Sequence, residues 1–241
     1  KQSAMSGNQF SESEVAELAK QTLTTAKTSA PDEAFDIAPV QPPRKFHSGP
    51  AGGDTEVMTE RTVEFLNDVK QKFPKIIIEA ATIRFSKHSR TIANSNGIHF
   101  ETTQSEYDFS TMFTAKDGRQ SSSFNYSGFS SIDLKTPIMK MAAIETLLKQ
   151  SSEQISCKSI DGKFVGDVIS TPDCISNFID GMTGHLTTGA LLKGQSIYQN
   201  KLNEKIATGG FEIKVRPRSP DFSSPKYVTG DGFETEDMNL I

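Results

Sequence analysis

IIIEAATIRFSKHSRTIANSNGIHF, residues 76–100, is the stretch on which the fold turns. Its first ten residues are rich in β-branched side chains, which fit a pleated and half-buried surface, so 76–85 is expected to be a strand with a well-buried portion. KHSR (87–90) reads as a turn, and RTIANS leads from it to the next. Asn96-Gly97 is a strong signal for a tight hairpin, because both central positions of such a turn take positive φ. Beyond it, Tyr107, Phe109 and Phe113 fall on one face at even spacing, Asp117-Gly118 marks another hairpin, and SSSFNYSGF (121–129) returns as a serine-rich strand. Residues 76–130 are thus predicted to be an antiparallel meander with one apolar face and one face of Ser, Thr and Gln. A hydroxyl-rich face is most often solvated sheet. The sharper alternative is the wall of a peptide-binding cavity, where hydroxyls and exposed backbone pair with an extended ligand.

The flanks supply helices. Ser11 and Glu14 form a capping box, and Val15, Leu18, Ala19, Leu23 and Ala26 recur at helical spacing to about Thr28. Residues 30–54 carry Pro31, Pro39, Pro42, Pro43 and Pro50, and read as a long connection, a surface crossover or lid. A second helix is expected from Thr55 to Phe73, stopped by Pro74. Thr136-Pro137 opens a third, with Ile138, Met141, Ile144 and Leu148 inward and Glu145–Lys149 as an i,i+4 pair. The polar break SSEQISCKSIDGK, followed by strand-like FVGDVIS (164–170), suggests a boundary between a first domain, 1–160, and a second, 161–241.

Thr171-Pro172 repeats the cap-and-proline start, predicting a helix over 172–189 with Ile175, Phe178, Ile179, Met182 and Leu186 inward. Gly181, Gly184 and Gly189 each cost such a helix about 1 kcal/mol against alanine, which points to close backbone packing or to room left for something. The same helix carries His185. A zinc peptidase helix needs two ligands one turn apart and a carboxylate beside them. No second His, Cys or Glu lies within a turn of His185, and Asp180 sits about 140° round the helix. His47, His88 and His99 fall in a loop, a turn and a strand. Neither a metal site nor a cofactor site is expected. The carboxylates Glu79, Glu101 and Asp108 show no acid/base spacing, so no catalytic residue is assigned.

Composition bounds the partners. The 241 residues are 35% hydrophobic with a net charge of −4, a pI near 5.7 and a mean hydropathy of −0.43. That balance suits a soluble globular protein and speaks against nucleic-acid binding, which draws on a basic face. The one dense basic run, KVRPR (214–218), reads as a solvated strand end. No stretch approaches the roughly 18 apolar residues of a membrane span, and no basic-then-apolar leader opens the chain. Cys157 and Cys174 fit no disulfide scaffold or CxxC pattern, and are expected reduced and buried in a cytoplasmic protein. The chain opens on Lys1, as a fragment would.

Several of these pieces occur in one order. NSNG (94–97), the serine-rich meander, VISTPDCISNFIDGMTGHLTTGALLKGQSIYQNKLNEKIA (168–207) and DGFETED (231–237) together resemble the TldD/PmbA family, also called modulators of DNA gyrase or peptide maturation proteins. Gly184-His185-Leu186 and Gly194-Gln195-Ser196 are closest to its PmbA branch. The resemblance runs from about Ser11 onward. It implies that members begin with further strands and continue past Ile241. In the TldD subunit a zinc motif, HExxxH, lies on the helix matching residues 176–181, which here read Ser176, Asn177, Phe178, Ile179, Asp180 and Gly181. Both histidines and the water-activating glutamate are missing.

The resemblance therefore implies a PmbA-like, metal-free subunit of a bacterial, cytoplasmic peptidase complex. It would dimerise with itself or with a TldD-like subunit, and would act on unfolded or extended peptides such as microcin precursors and antitoxins. An active hydrolase in its own right and a protein-binding modulator of DNA gyrase are the alternatives. The fold class expected is α+β: an antiparallel meander with helices on one face, then the start of a second, mainly β domain.

Overall fold

Ser11 starts the first helix, α1 (Glu12–Thr28), as its sequence asks: its hydroxyl accepts from the Glu14 N–H while Glu14 reaches back to the Ser11 N–H. This and all that follows is seen in a computed structural model, which describes residues 1–8, 11–31, 36–159, 162–163 and 165–240. Within the proline-rich connection lies a short strand, β1 (Arg44–Ser48), followed by α2 (Thr55–Lys72). Asp54 caps α2 by accepting from the Val57 N–H at 3.1 Å. The sequence carries no obvious sign of β1, because RKFHS contributes a single large apolar side chain.

The meander is longer and simpler than expected. β2 (Ile76–Ala93) and β3 (His99–Asp117) pair antiparallel along their whole length, with one bulge between Ile78 and Ala80. KHSR is therefore strand, not turn, and polar residues are tolerated there because 87–91 lie on an exposed part of the sheet. The hairpin at Asn96-Gly97 forms, but only Gly97 takes positive φ (96°). The Asn94 side chain closes the loop instead, accepting from the N–H groups of Asn96 and Ile98 at 3.1 Å each. β4 (Gln120–Ser121) and β5 (Asn125–Ser131) turn back along β3. β1 and β5 share one edge of β3 end to end: β1 runs parallel beside Phe100–Gln104 and β5 antiparallel beside Tyr107–Phe113. The sheet is thus mixed, with β2 alone on the other side of β3.

Successive side chains on a strand point to opposite faces, and β3 uses both. Phe109, Phe113 and Ala115 are buried against Phe65 and Val69 of α2 and against Ile138, Met139, Ile144 and Leu148. The Phe65 and Phe109 rings meet edge-on at 5.2 Å. Each such fully buried aromatic or aliphatic side chain contributes about 1.5–3 kcal/mol. At the other end of β3 the opposite face is covered: Ile98 and Phe100 are buried with Ala38 and Val228, and Phe46, Ile92 and Tyr227 pack around them. One strand carries two cores, one on each face and displaced along its length. The helices cover one, and the C-terminal segment covers the other.

The third predicted helix divides. A single 3-10 turn, Ile138–Lys140, is followed by Ala142 and Ala143 at φ 46° and 56°, and then by α3 (Ile144–Glu153). The break lets Ile138 and Met139 enter the same core as Ile144 and Leu148. Lys149 pairs with Glu153 at 4.0 Å rather than with Glu145. The boundary expected at 160/161 falls on residues outside those described. Residues 165–170 are irregular rather than strand, with Val165, Val168 and Ile169 exposed. After them come α4 (Pro172–His185), α5 (Thr188–Leu192) and a small ladder of β6 (Lys214–Val215) with β7 (Met238–Asn239). The fold class is α+β, as expected. Cys157 and Cys174 are exposed, against the expectation of burial: Cys157 follows the last residue, Ile155, that packs on the helix-side core, and Cys174 lies on α4, which among the described elements packs on α5 alone. Among the described residues no helix is long and apolar enough to cross a membrane.

Candidate functional site

Helix α4 is where the resemblance would place a zinc centre, and its geometry follows from its ends. Thr171 is its extended N-cap, with Pro172 in the first turn. The helix stops at His185, where Leu186 N–H bonds back to Thr183 O at 3.0 Å, and Thr187 caps α5 by accepting from Ala190 N–H at 3.3 Å. The single helix predicted over 172–189 is thus two. Ile175 and Phe178 were expected inward, yet they are 42% and 64% exposed. The reason is that α4 packs on α5 alone among the described elements. A Cβ at Gly181, Gly184 or Gly189 would meet nothing within 4 Å, so these glycines leave room rather than admit a close backbone.

His185 answers for the end of this helix. Its carbonyl accepts from Ser196 Oγ at 2.6 Å, and Ser196 Oγ also accepts from Tyr198 N–H at 3.0 Å. Its ring stands perpendicular to Tyr198, 6.3 Å away between centroids. The two short motifs around His185 and Ser196 are therefore joined: the second closes the C-terminus of the helix that carries the first.

A zinc ion needs three or four nitrogen, sulfur or carboxylate donors at about 2.0–2.3 Å. Residues 176–181 offer Asp180 as their one such donor. Among the described residues no three His, Cys, Asp or Glu side chains come near enough to share an ion. The donor set does not fit zinc. Of the other histidines, His47 lies on β1 and His88 within β2, neither in the loop or turn expected. His99, at the start of β3, contacts Glu101 at 3.2 Å.

The three carboxylates singled out by sequence are spread over the sheet. Glu79, in the bulge, accepts from Thr114 Oγ1 at 3.2 Å. Glu101 pairs with Lys45 at 2.8 Å, and the hydrogen bonds from Lys45 and then His99 hold its carboxyl below the usual carboxylate range. Asp108 accepts from Ser130 Oγ at 2.6 Å and from Ser86 Oγ at 3.4 Å. Seven residues of strand separate Glu101 from Asp108, about 23 Å. No acid/base pair is assembled. Around Asp108 the sheet face is open and lined with hydroxyls: Thr82 lies across from Ser110, and both are exposed, as are Ser130 and Tyr126.

A cluster absent from the sequence reading joins the ends of the chain. Glu234 receives Arg44 at 2.7 Å and Arg218 at 3.0 Å. Both guanidinium groups lie over the Phe46 ring, at 5.4 and 5.5 Å, and Phe46 stacks on Tyr227 with centroids 4.8 Å apart. Arg44 first, then Arg218, holds the Glu234 carboxyl below its ordinary value. Arg218 belongs to the KVRPR run, so that run is a structural tie as well as a strand end. Beside it lies an open pocket of about 470 Å³ lined by Arg216, Arg218, Ser219, Pro220, Thr235 and Asp237. Its cations are engaged, Arg216 with Asp237 at 3.4 Å and Arg218 with Glu234. The only signal in the sequence was the pairing of a basic run with an acidic one 16 residues on, and spacing alone does not distinguish that from solvated charge.

Comparison with known proteins covers most of the chain. Residues 54–150 match the PmbA/TldA metallopeptidase central domain and residues 162–241 the PmbA/TldA metallopeptidase C-terminal domain. No curated protein matches. Among solved structures the chain is similar to TldE from Thermococcus kodakarensis, at 16% identity and a TM-score of 0.72, over 98% of this chain and 54% of that one. It is also similar to a Bacteroides thetaiotaomicron protein described as a candidate modulator of DNA gyrase, at 20% identity and a TM-score of 0.74, over 99% and 56%. A Thermotoga maritima protein of like description gives 14% identity and a TM-score of 0.58, over 96% and 53%. The chain spans about half the length of these solved structures.

Proposed function

We propose that this chain, which belongs to the PmbA/TldD metallopeptidase family, is a metal-free, PmbA-like subunit that works beside a zinc-bearing TldD-like partner on extended peptides. One observation carries the reading: Ser176–Gly181, the place of the family's zinc motif, holds neither histidine nor glutamate, and no donor cluster elsewhere among the described residues replaces it. Water activation for amide cleavage takes a metal or a paired acid and base, and among the described residues neither set of side chains is assembled.

Exposed apolar side chains support a contact role: Ile175 and Phe178 on α4, Leu192 on α5 and Ile197 after it. Large exposed apolar patches mark contact surfaces. The open hydroxyl face around Asp108 supports a peptide ligand, since hydroxyls and strand backbone recognise extended chains without regard to sequence.

The test takes the full-length protein, purified and measured for zinc, then assayed for peptide cleavage alone and with a zinc-bearing relative. The expected outcome is sub-stoichiometric zinc, no turnover alone, and turnover with the partner that EDTA abolishes. A full equivalent of tightly held zinc, or chelator-insensitive cleavage by the lone chain, overturns the reading. A pull-down that recovers DNA gyrase and no TldD-like chain would instead support the modulator role named in the relatives' descriptions.

A further inference from the structure

The outer edge of β2 carries a row of unsatisfied positive charge. β2 bonds to β3 along its length, and among the described residues no other strand lies against it, so its second edge presents free N–H and C=O groups. No proline interrupts that edge, and its one bulge sits at the far end, between Ile78 and Ala80. Arg84, Lys87, His88 and Arg90 all lie within seven residues and all are exposed. Among the described residues none of the three permanent cations is in an ion pair, and Lys87 donates to the Ala51 carbonyl at 3.3 Å.

The facing groups compensate this charge at its Arg84 end and leave it uncompensated at Lys87 and Arg90. Across β3, Arg84 faces Asp108, Ser86 faces Glu106, Lys87 faces Ser105, His88 faces Gln104 and Arg90 faces Thr102. Asp108 and Glu106 also accept from Ser130 and Ser223, each at 2.6 Å, and keep their charges, which balance Arg84. Directly across β3 nothing anionic faces Lys87, His88 or Arg90.

We propose that the Arg84–Arg90 edge of β2 is a docking site for an extended, acidic peptide segment, which adds to the sheet as a further strand. Backbone pairing supplies the affinity of such an addition and side chains supply its selectivity. Strand geometry puts alternate residues of the added segment beside Arg84, His88 and Arg90 on one face and beside Lys87 on the other. The same charges reject a second copy of this chain. Two-fold pairing about Lys87 would set Lys87 against Lys87 and Arg84 against Arg90, and like charges directly opposite are destabilising. Edge lysines commonly serve that exclusion. Here they would exclude self while admitting the opposite charge.

The proposal rests on the subunit role only in taking a peptide as the ligand, and its test is read separately. The full-length protein is titrated into a fluorescein-labelled heptapeptide of alternating threonine and glutamate and followed by anisotropy. The threonine–lysine counterpart and a glutamate peptide N-methylated at alternate amides run beside it. Expected is binding of the glutamate peptide at least about tenfold tighter than either control, weakening as salt is raised. Lys87→Glu with Arg90→Glu, shown folded by circular dichroism, is expected to lose about tenfold. Hydrogen exchange on the unaltered protein is expected to show slowed amides over residues 84–90 when the peptide is bound. Equal binding of the N-methylated peptide, no slowing at 84–90, self-association through this edge, or no binding at all overturns the proposal. Stoichiometric zinc would sink the subunit role and leave this site standing.

Discussion

Glu234 accepts both its contacts with Arg44 from one guanidinium nitrogen, at 2.9 and 2.7 Å, across 190 residues of sequence. The bond ties the C-terminal segment to β1, which is itself only five residues long and held to the sheet by parallel pairing with β3. Glu234→Gln keeps the shape and removes the charge, so it isolates the ionic part of the tie. Hydrogen bonds to charged groups contribute about 1.5–3 kcal/mol when well buried, and exposed pairs under about 1. The Arg44 side chain is half exposed and Glu234 a quarter exposed, which places the expected loss at about 1–2 kcal/mol. A thermal melt should fall by a few degrees, and the double variant with Arg44→Gln should cost less than the sum of the singles.

The same carboxylate gives the tie between the C-terminal segment and β1 a pH dependence. Folding lowers the Glu234 pKa below its ordinary 4.5, chiefly through Arg44 and then Arg218. The folded state therefore binds fewer protons than the unfolded one, and the stabilisation is fully present above the unfolded value. It is lost as pH falls through the lowered value. The fluorescence of Tyr227, stacked on Phe46, should stay constant from neutral pH to about 5 and change below the ordinary carboxylate range. Glu234→Gln should flatten that change. A profile identical in the variant would assign the transition to other carboxylates.

Two glycines are expected to respond to alanine in opposite ways. Gly49 has φ 83°, and a Cβ there would stand 1.7 Å from the Ser105 carbonyl oxygen. The strand end and the loop over Ser105 would have to separate, and Ser105 Oγ would lose its bond to Pro50 O at 2.5 Å. Gly49→Ala should cost about 3 kcal/mol or more, from both strain and overpacking. Gly181→Ala, inside α4 with open space around it, should gain up to about 1 kcal/mol. Equal melting of the two variants would mean that the turn at Gly49 yields to a side chain without strain.

Most of the sheet was legible because its signals are local. β-branched runs, Asn-Gly and Asp-Gly turns, and aromatics at even spacing all lie within a few residues of the structure they specify. The length of β2 was not legible, since Lys87, His88 and Arg90 are charged for reasons of an exposed edge rather than of a turn. β1 was missed because its pairing is parallel and its partner lies 56 residues away, with RKFHS too polar to announce a strand. The inward stripe on α4 was a sound helical period with nothing to face, and amphipathicity reports a preference for a partner without naming one. At the candidate site, the side chains of Ser176–Gly181, with Asp180 as their one carboxylate, are read from the sequence residue by residue. The Arg44–Glu234–Arg218 tie was not legible, because salt links over such separations leave no periodic trace.

A buried polar network offers the sharpest check of the helix-side core. Ser151 of α3 is fully buried, and its hydroxyl lies 3.1 Å from Ser122 Oγ and 3.0 Å from Asn125 Nδ2. Ser122 in turn accepts from the Ala115 N–H at 2.9 Å, and Asn125 exchanges amide bonds with Gln154 at 3.2 and 3.3 Å. These groups fasten α3 to the β4–β5 return, where apolar contacts are few. Ser151→Ala would remove one acceptor of the Asn125 amide and the hydroxyl beside Ser122, while both keep Ser123 O as an acceptor, at 2.9 and 2.8 Å. The expected cost is therefore that of a lost hydrogen bond, about 0.5–1.5 kcal/mol. The hydroxyl itself is small, so the cavity adds little. Ser151→Cys, nearly the same volume with a weak donor, should recover part of the loss. Denaturant unfolding of the three proteins should rank them wild type, cysteine, alanine with an unchanged slope; an alanine variant as stable as wild type would mean that water reaches the network and that α3 is held by its leucines alone.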